Sequence, residues 1–266
     1  FDCLLRSKWD RAMVEGHFRY QLDNLETRII PGKKKFVAQL NVKRATERRK
    51  PQAISTVNQS FDPNQFNFTK IKQEEVLFSL RQSDESQNNF NETSSLGNQT
   101  ENLVIVNVSP LEYGHVLVVP NVNGLLPQLL TEQSVQLALH CMLLSSHPGF
   151  RIGFNSLCAY ASVNHLHFHA YYLEHELFVE TCPVDHLEGL LYELTVMPCR
   201  GFAFQLHGTD IDKLSSAIHK VAQYLREHEI AHNLYVTKGT VFGEDPAGGK
   251  RTIRLYLWPR KKVVGK

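Results

Sequence analysis

One stretch of the chain alternates histidine with apolar residues: Ser162-Val163-Asn164-His165-Leu166-His167-Phe168-His169. In a β-strand, residues two apart point to the same face, so we expect the three histidines to project together. Leu166, Phe168 and Ala170 then face the opposite side and enter the core. Three imidazoles on one face are costly unless they are used, because each neutral ring needs partners for two nitrogens. The pattern therefore predicts a functional site on this strand.

Three interpretations of the run remain open on these residues alone. The histidines can lie on a solvated polar face, they can bind zinc, or one imidazole can attack phosphorus while its neighbours orient the site. Adjacent strand positions rarely converge on one tetrahedral ion without a further ligand. The preceding segments 153–156 and 161–164 are small and polar, and they can donate hydrogen bonds to phosphate oxygens. These neighbours favour phosphorus chemistry.

Upstream of the run, a second element combines two strands with a turn. Residues 103–108, apolar except for Asn107, predict a buried strand, and residues 115–119 predict another. The segment between them contains the turn residues Pro110 and Gly114. Thr131 is placed as the N-cap of a helix, with Glu132 in its first turn. A further strand begins at Arg151 and leads into the histidine run.

The last third of the chain repeats this kind of pattern. Residues 202–206 predict a strand, Thr209 or Asp210 caps a helix with apolar residues at spacings of three and four, and residues 233–237 and 252–257 predict two more strands. The last two are joined through a turn at Gly248 and Gly249. Adjacent strands with helices on one side indicate an α+β protein built on an antiparallel sheet.

The first 80 residues are predicted to mix short strands and loops. Residues 36–41 alternate in part, as a half-exposed strand does. The basic cluster that follows is either a solvated face or an anion site, and it comprises Lys43, Arg44, Arg48, Arg49 and Lys50. Residues 82–101 are rich in Ser, Asn, Gln, Glu and Asp, so we expect a mobile loop without chemistry.

Composition narrows the class of protein. The 266 residues are 42% hydrophobic and 21% charged, with a formal net charge of +2, which argues against a nucleic-acid partner. The longest apolar stretches are far shorter than a membrane span, which takes about 20 residues. Five cysteines without Cys-x-x-Cys spacing predict reduced thiols in a cytoplasmic protein, with no metal or other cofactor.

The ordered motifs resemble the histidine-triad superfamily. The chain has a strand, the element Pro110-x-x-x-Gly114-His115-x-Leu117-x-x-Pro120, a helix, a strand and then the histidine run. Further segments are similar to the GDP-hexose phosphorylases of the galactose-1-phosphate uridylyltransferase branch, namely residues 18–20, 36–41, 61–70, 107–112, 153–157 and 228–234. The likeness runs from about residue 9 to residue 260. Plant members carry Gln where this chain has His169, which favours the animal, GDP-D-glucose type.

The resemblance implies an architecture of two related halves in one catalytic region, about 9–175 and about 176–266. Members of the family continue beyond residue 266, so we expect the second half to be incomplete at its C-terminal end. It also implies a homodimer. The implied activity is phosphorolysis of GDP-D-glucose by inorganic phosphate, which yields GDP and glucose 1-phosphate.

The resemblance also implies the roles of the site residues. His167 attacks the α-phosphorus and carries the guanylyl group, and His165 and His169 support it. Expected contacts to nucleotide and phosphate come from Ser162, Asn155, Asn164, Asp62, Lys70 and Arg44, with Asp62 reading guanine or merely capping a turn. His115 is expected to orient the triad. Two alternatives stay open, a GDP-sugar hydrolase and a non-catalytic guanine-nucleotide-binding module. The preferred hexose and the role of His169 in substrate choice are not fixed by the sequence.

Overall fold

The computed structural model describes residues 1–23, 25–81 and 101–264 of the chain. Its helices are α1 (Asp2–Val14), α2 (Val42–Glu47), α3 (Glu132–Leu144) and α4 (Ile211–Glu227). Its strands are β1 (Glu26–Ile29), β2 (Val37–Leu40), β3 (Val76–Leu80), β4 (Asn102–Val106), β5 (Val116–Val119), β6 (Phe150–Asn155), β7 (Phe168–Tyr172), β8 (Asp185–Glu188), β9 (Leu191–Leu194), β10 (Gly201–Gln205), β11 (Ala231–Thr240) and β12 (Arg251–Arg260).

Ten of these strands form one sheet in the order β3-β4-β5-β7-β6-β11-β12-β10-β9-β8, and every neighbouring pair is antiparallel. The first five and the last five follow the same plan. Each half has three strands, a helix and two strands, and the final two strands exchange places in the sheet. The halves meet where β6 pairs with β11. The predicted α+β class with two related halves is confirmed.

Helices α3 and α4 pack on one face of the sheet. Thr131 caps α3 by accepting the Ser134 N–H, and Asp210 caps α4 by accepting the Lys213 N–H. The predicted N-cap at Thr131 and the second of the two predicted caps for α4 are therefore correct. The apolar sides of both helices join the strands in a single core; its buried members include Val135, Leu139, Met142, Leu214, Ile218 and Leu225.

The histidine run differs from the expectation of a continuous strand. Strand β7 begins only at Phe168, so His169 lies in the sheet while His165 and His167 precede it. The backbone of this segment bonds outside the ladder, because the Leu166 N–H donates to the Leu126 carbonyl, which is distant in sequence. Leu166, Phe168 and Ala170 enter the core as predicted.

Helix α1 and the strands β8 and β9 are among the elements that were not predicted from sequence. Helix α1 buries Leu5, Trp9 and Ala12 against the core, although the expectation for this region was short strands and loops. Strands β8 and β9 extend the far edge of the sheet, and β8 is fully exposed. The predicted loop at 82–101 lies outside the described residues except for Glu101.

Candidate active site

A cavity of about 550 Å³ opens on the face of the sheet opposite α3 and α4. His167 and His169 line it side by side, with their ring centroids 5.2 Å apart. His165 does not line the cavity. The expectation that all three imidazoles share one open face is therefore wrong, because the chain bends before β7 and turns His165 into the interior.

His165 positions its neighbour from behind. Its Nδ1 accepts the Phe68 N–H at 3.1 Å, and its carbonyl oxygen lies 2.7 Å from His167 Nδ1. Burial lowers the pKa of His165 to about 4, against the opposing effect of the Val122 backbone. The His165 ring is neutral near pH 7 and fully enclosed. It anchors the backbone of His165 to that of Phe68, and the His165 carbonyl in turn positions the His167 ring.

The bond to the His165 carbonyl fixes the tautomer of His167. A carbonyl oxygen only accepts hydrogen bonds, so His167 Nδ1 must carry the proton. Burial lowers the pKa of this ring to about 4, which keeps it neutral at pH 7. A neutral imidazole with a protonated Nδ1 has its lone pair on Nε2. His167 therefore has the protonation state of a nucleophile.

Gln128, a buried residue that was not predicted from sequence, forms hydrogen bonds with the backbone of His167. Gln128 accepts the His167 N–H through Oε1 at 2.8 Å and donates Nε2 to the His167 carbonyl at 3.1 Å. The same Nε2 donates to the Asn155 carbonyl at 2.9 Å. These bonds replace strand pairing just before β7. A single glutamine between apolar residues gave no sequence signal for this role.

His169 has the complementary tautomer. The Leu111 N–H donates to His115 Nδ1 at 2.8 Å, which leaves the proton of neutral His115 on Nε2. His115 Nε2 lies 3.0 Å from His169 Nδ1 and donates its proton to that nitrogen. The proton of neutral His169 is therefore on Nε2. Burial lowers the pKa of His115 to about 3 and that of His169 well below its usual range. His169 thus supplies a neutral hydrogen-bond donor beside the His167 lone pair, and the expected orienting role of His115 has a geometric basis.

The basic cluster supplies positive charge at the cavity wall. Arg44, Arg48 and Arg49 all line the cavity. Arg44 donates to the Ser109 carbonyl, and its charge helps to lower the pKa of His115 and His169. The Arg49 guanidinium lies 3.5 Å from the centroid of the Phe66 ring. Of the two interpretations left open for the cluster, an anion site agrees with this placement.

Two of the expected phosphate donors line the cavity and one does not. Ser162 and Asn155 are part of the wall. The Asn155 Oδ1 accepts from Asn233 Nδ2 at 2.7 Å, which leaves Asn155 Nδ2 as the donor for a ligand. Asn164 is buried, and its amide bonds the Gln128 N–H and the carbonyls at positions 59 and 60. These three bonds engage the amide in holding the loop in place.

Asp62 and Lys70 lie outside the cavity lining. Asp62 Oδ1 accepts the Asn64 N–H at 2.9 Å, as a turn-capping aspartate does. Lys70 Nζ donates to the carbonyls of Pro63, Asn64 and Gln65. The structure therefore brings neither side chain to the site and gives both of them contacts within their own loop.

Part of the remaining lining comes from strands near the junction of the two halves. It includes Tyr171, which continues the alternation of the histidine run, and residues of β11 and β12; these are Asn233, Tyr235, Trp258 and Arg260. The position of Tyr171 was predictable from the spacing of two. The others depend on the pairing of β6 with β11, which local sequence does not reveal.

The described residues contain no group of three or more His, Cys, Asp or Glu placed to hold a metal ion. Across the same ranges, no helix is both long enough and apolar enough to traverse a bilayer.

The fold has clear counterparts among solved structures. Yeast Ap4A phosphorylase Apa2 in complex with AMP superposes with a TM-score of 0.61 over 98% of this chain and 80% of that chain, at 14% identity. The Apa2 structure without that ligand gives a TM-score of 0.60 over 97% and 79%. At such identity the likeness shows the fold alone. The class is that of the Apa2 fold, with a large antiparallel sheet, and in this chain a histidine pair lies on the open face of that sheet.

Sequence comparison defines the family within this class. The model described as GDPGP1-like, N-terminal domain matches residues 1–171, and GDPGP1-like, C-terminal domain matches residues 175–265. This chain belongs to the GDPGP1-like family. It is 46% identical to GDP-D-glucose phosphorylase 1 of Danio rerio, over all of this chain and 74% of the relative, and 46% identical to that of Homo sapiens, over all of this chain and 68% of the relative. GDP-L-galactose phosphorylase 1 of Arabidopsis thaliana is 37% identical over 89% of this chain and 55% of the relative.

Proposed function

We propose that this chain is a nucleotidyltransferase that phosphorolyses GDP-D-glucose to GDP and glucose 1-phosphate. The single observation that carries the proposal is the His167 tautomer, which leaves a lone pair on Nε2 facing a cavity beside a hydrogen-bond donor. The proposed substrate is inferred from the GDP-D-glucose phosphorylases named above, which are 46% identical over the whole chain. Both sequence halves act as one catalytic region in this proposal.

In the first step, His167 Nε2 attacks the α-phosphorus. A P–N bond forms, the bond from that phosphorus to the bridging oxygen breaks, and glucose 1-phosphate leaves with the electron pair. Its last ionisation lies near pH 6, as for other phosphate monoesters, so it departs as an anion without a full proton transfer. The His169 Nε2–H hydrogen bond stabilises the developing charge.

In the second step, an oxygen of inorganic phosphate attacks the guanylylated histidine. The new P–O bond forms GDP, and the P–N bond breaks and returns the electron pair to His167 Nε2. Ser162 and Asn155 donate hydrogen bonds to the nonbridging oxygens of the phosphate. Arg44 and its neighbouring arginines balance the negative charge of the phosphate groups. Asp62, Lys70 and Asn164 are left out of these contacts because their polar atoms already bond backbone groups of the protein, nearby in sequence for Asp62 and Lys70 and distant for Asn164.

The setting of the reaction is part of the same proposal. All five cysteines are unpaired, as expected for a protein of the cytoplasm. Inorganic phosphate is the acceptor in this scheme, and no nucleic acid takes part.

The test is to trap the guanylyl group. We expect protein incubated with GDP-glucose labelled on the α-phosphate to retain label when phosphate is omitted, and to release it as GDP when phosphate is added. His167→Asn retains the Nδ1-like donor but has no nucleophile, so phosphorolysis should fall at least about 10³-fold with no label trapped. His186→Asn, on the exposed strand β8, is the matched control.

Three outcomes would contradict the proposal. Wild-type phosphorolysis by His167→Asn would exclude the covalent step. Formation of GMP at a rate independent of phosphate would identify a hydrolase. Tight binding of guanine nucleotide without turnover or trapping would identify a binding module.

A further inference from the structure

One row of paired residues crosses the sheet through the site. Ile105 pairs with Leu117, Leu117 with His169, His169 with Gly153, and Gly153 with Tyr235. Residues paired directly across an antiparallel sheet project to the same face. All five line the cavity. The row is therefore the floor of the active site, and Gly153 is the one position in it without a side chain.

Gly153 leaves a gap between His169 and Tyr235. The two strands on either side of it lie about 10 Å apart, since each strand spacing is about 4.8 Å. A Cβ added at Gly153 would approach only the Leu234 carbonyl oxygen, at 3.8 Å. Gly153 is not among the residues with positive φ, so the backbone does not require glycine there. The missing side chain serves to leave the sheet backbone open to a ligand.

The walls on the two sides of His169 differ in chemistry. Toward β5 and β4 the floor is apolar, with Leu117 and Ile105, and the ring of Phe68 lies 5.1 Å from that of His167. Such a slot suits a flat purine. Toward β6 and β11 the wall is polar, with Asn155 and Asn233 in one hydrogen-bonded pair.

The rings of Tyr171 and Tyr235 lie beyond the gap and line the cavity, while the Tyr235 hydroxyl itself is buried. Tyr235 pairs with Gly153 and Tyr171 follows His169 by two residues, so both rings face the same end of the cavity. A hexose carries hydroxyls on every side and needs polar partners, which Asn155 and Asn233 provide next to these rings.

We infer that the gap over Gly153, bounded by His169 and Tyr235, binds the hexose phosphate half of the GDP-sugar, and that Gly153 and Tyr235 determine which hexose is accepted. The inference rests on the proposed function for the identity of the ligand. It assigns the leaving group to the β6–β11 side of the triad and the base to the β4–β5 side.

Substitution of Gly153 tests this directly. Gly153→Ala and Gly153→Val place carbon in the gap without a clash at Cβ, and a strand tolerates both residues better than glycine. Dissociation constants for GDP-glucose and for GMP are measured in the His167→Asn background, where turnover does not interfere. We expect Gly153→Val to weaken GDP-glucose at least tenfold and to leave GMP within about twofold, with Gly153→Ala intermediate. Gly248→Ala, where an added Cβ meets nothing within 4 Å, should change neither constant.

Tyr235→Leu gives a second readout. Loss of the aromatic ring that bounds the gap should weaken GDP-glucose about threefold to tenfold, leave GMP unchanged, and narrow the ratio of kcat/KM between GDP-glucose and GDP-mannose in the active enzyme. Thermal unfolding of each variant shows that it is folded.

Two results would overturn the inference: wild-type affinity of Gly153→Val for GDP-glucose, or an equal loss for GMP and GDP-glucose. Failure of the proposed function looks different. In that case the unmodified chain lacks phosphorolysis, while the binding comparison between GDP-glucose and GMP still reports on the gap.

Discussion

The two halves of the sheet share a strand plan but differ in what covers the face opposite the helices. Strand β7 in the first half and β12 in the second occupy corresponding places, each between the strand before the helix and the strand after it. On β7 this face carries His169 and Tyr171 and opens onto the cavity. On β12 it carries Arg254 and Tyr256, and both are buried.

The face of the second half is filled by its own chain. Arg254 donates to the carbonyls of Thr240, Val179 and Cys182, and Tyr256 donates to the Val179 carbonyl. The segment that contains Val179 and Cys182 thereby packs onto the sheet in a separate apolar cluster. The side-chain donors of Arg254 and Tyr256 are therefore engaged within the protein, whereas Trp258 and Arg260, further along β12, line the cavity.

The difference shows what turns a sheet face into a reactive site. In the first half the histidines are neutral because burial opposes their charged form, and their tautomers are set by backbone groups. The Nε2 atoms of His167 and His169 are not needed for folding. In the second half the polar atoms stabilise a covering segment, so the same architecture gives structure rather than chemistry.

The largest expected effect concerns the donor in the open half. Removing the donor with His169→Ala should lower kcat by about 10²- to 10³-fold, whereas His169→Gln, whose amide still donates, should lose about tenfold or less. Steady-state rates with GDP-glucose check this, together with the amount of guanylyl label trapped. If His169→Gln is as impaired as His169→Ala, donation is not the role of this residue. If His169→Gln instead changes the preferred GDP-hexose, the third histidine sets substrate choice.

Arg254 provides the corresponding test of the filled half. Arg254→Met removes four buried hydrogen bonds, including one to the Tyr256 hydroxyl, and should lower the free energy of unfolding by about 3 kcal/mol. Urea denaturation measures this. Arg251→Met, at an exposed position of the same strand, should cost less than about 1 kcal/mol.

The kcat of folded Arg254→Met should stay near that of the wild type, because Arg254 does not line the cavity. A drop of more than tenfold in kcat without a loss of stability would contradict the contrast between the two halves, because it would mean that the filled face contributes to catalysis.

The sequence predicted the strands and helices around the histidine run because hydrophobic spacing and capping residues are local. Thr131 and Asp210 marked their helices correctly. Spacing also placed His167 and His169 together. It failed for His165, because a residue that looks like the next strand position lies in a bend that long-range hydrogen bonds impose.

The rest of the site depends on contacts far apart in sequence. Gln128 lies 39 positions from His167 and bonds both its N–H and its carbonyl. Asn233 and Tyr235 reach the cavity only through the pairing of β11 with β6. Asp62 and Lys70 show the opposite error: they lie within segments like those of the family, but their polar atoms bond the nearby backbone. Composition cannot separate a charged residue that awaits a ligand from one already engaged.

The smallest of these effects is a dependence of stability on pH that arises in the open half. The pKa of His167 is lowered to about 4 and that of His115 to about 3, both by burial, while in the unfolded chain the value is about 6.5. As the pH falls below about 6.5, the unfolded chain takes up protons that the folded protein does not, so stability is lost until the folded pKa is reached. At pH 5.5 each such imidazole costs about 1 kcal/mol relative to pH 7.5. His167→Asn should therefore lose about 1 kcal/mol less than the wild type between these pH values in urea denaturation, and His186→Asn should lose as much as the wild type. Equal losses in all three proteins would mean that the neutral state of His167 is not imposed by the fold, and the contrast between the two faces would rest on geometry alone.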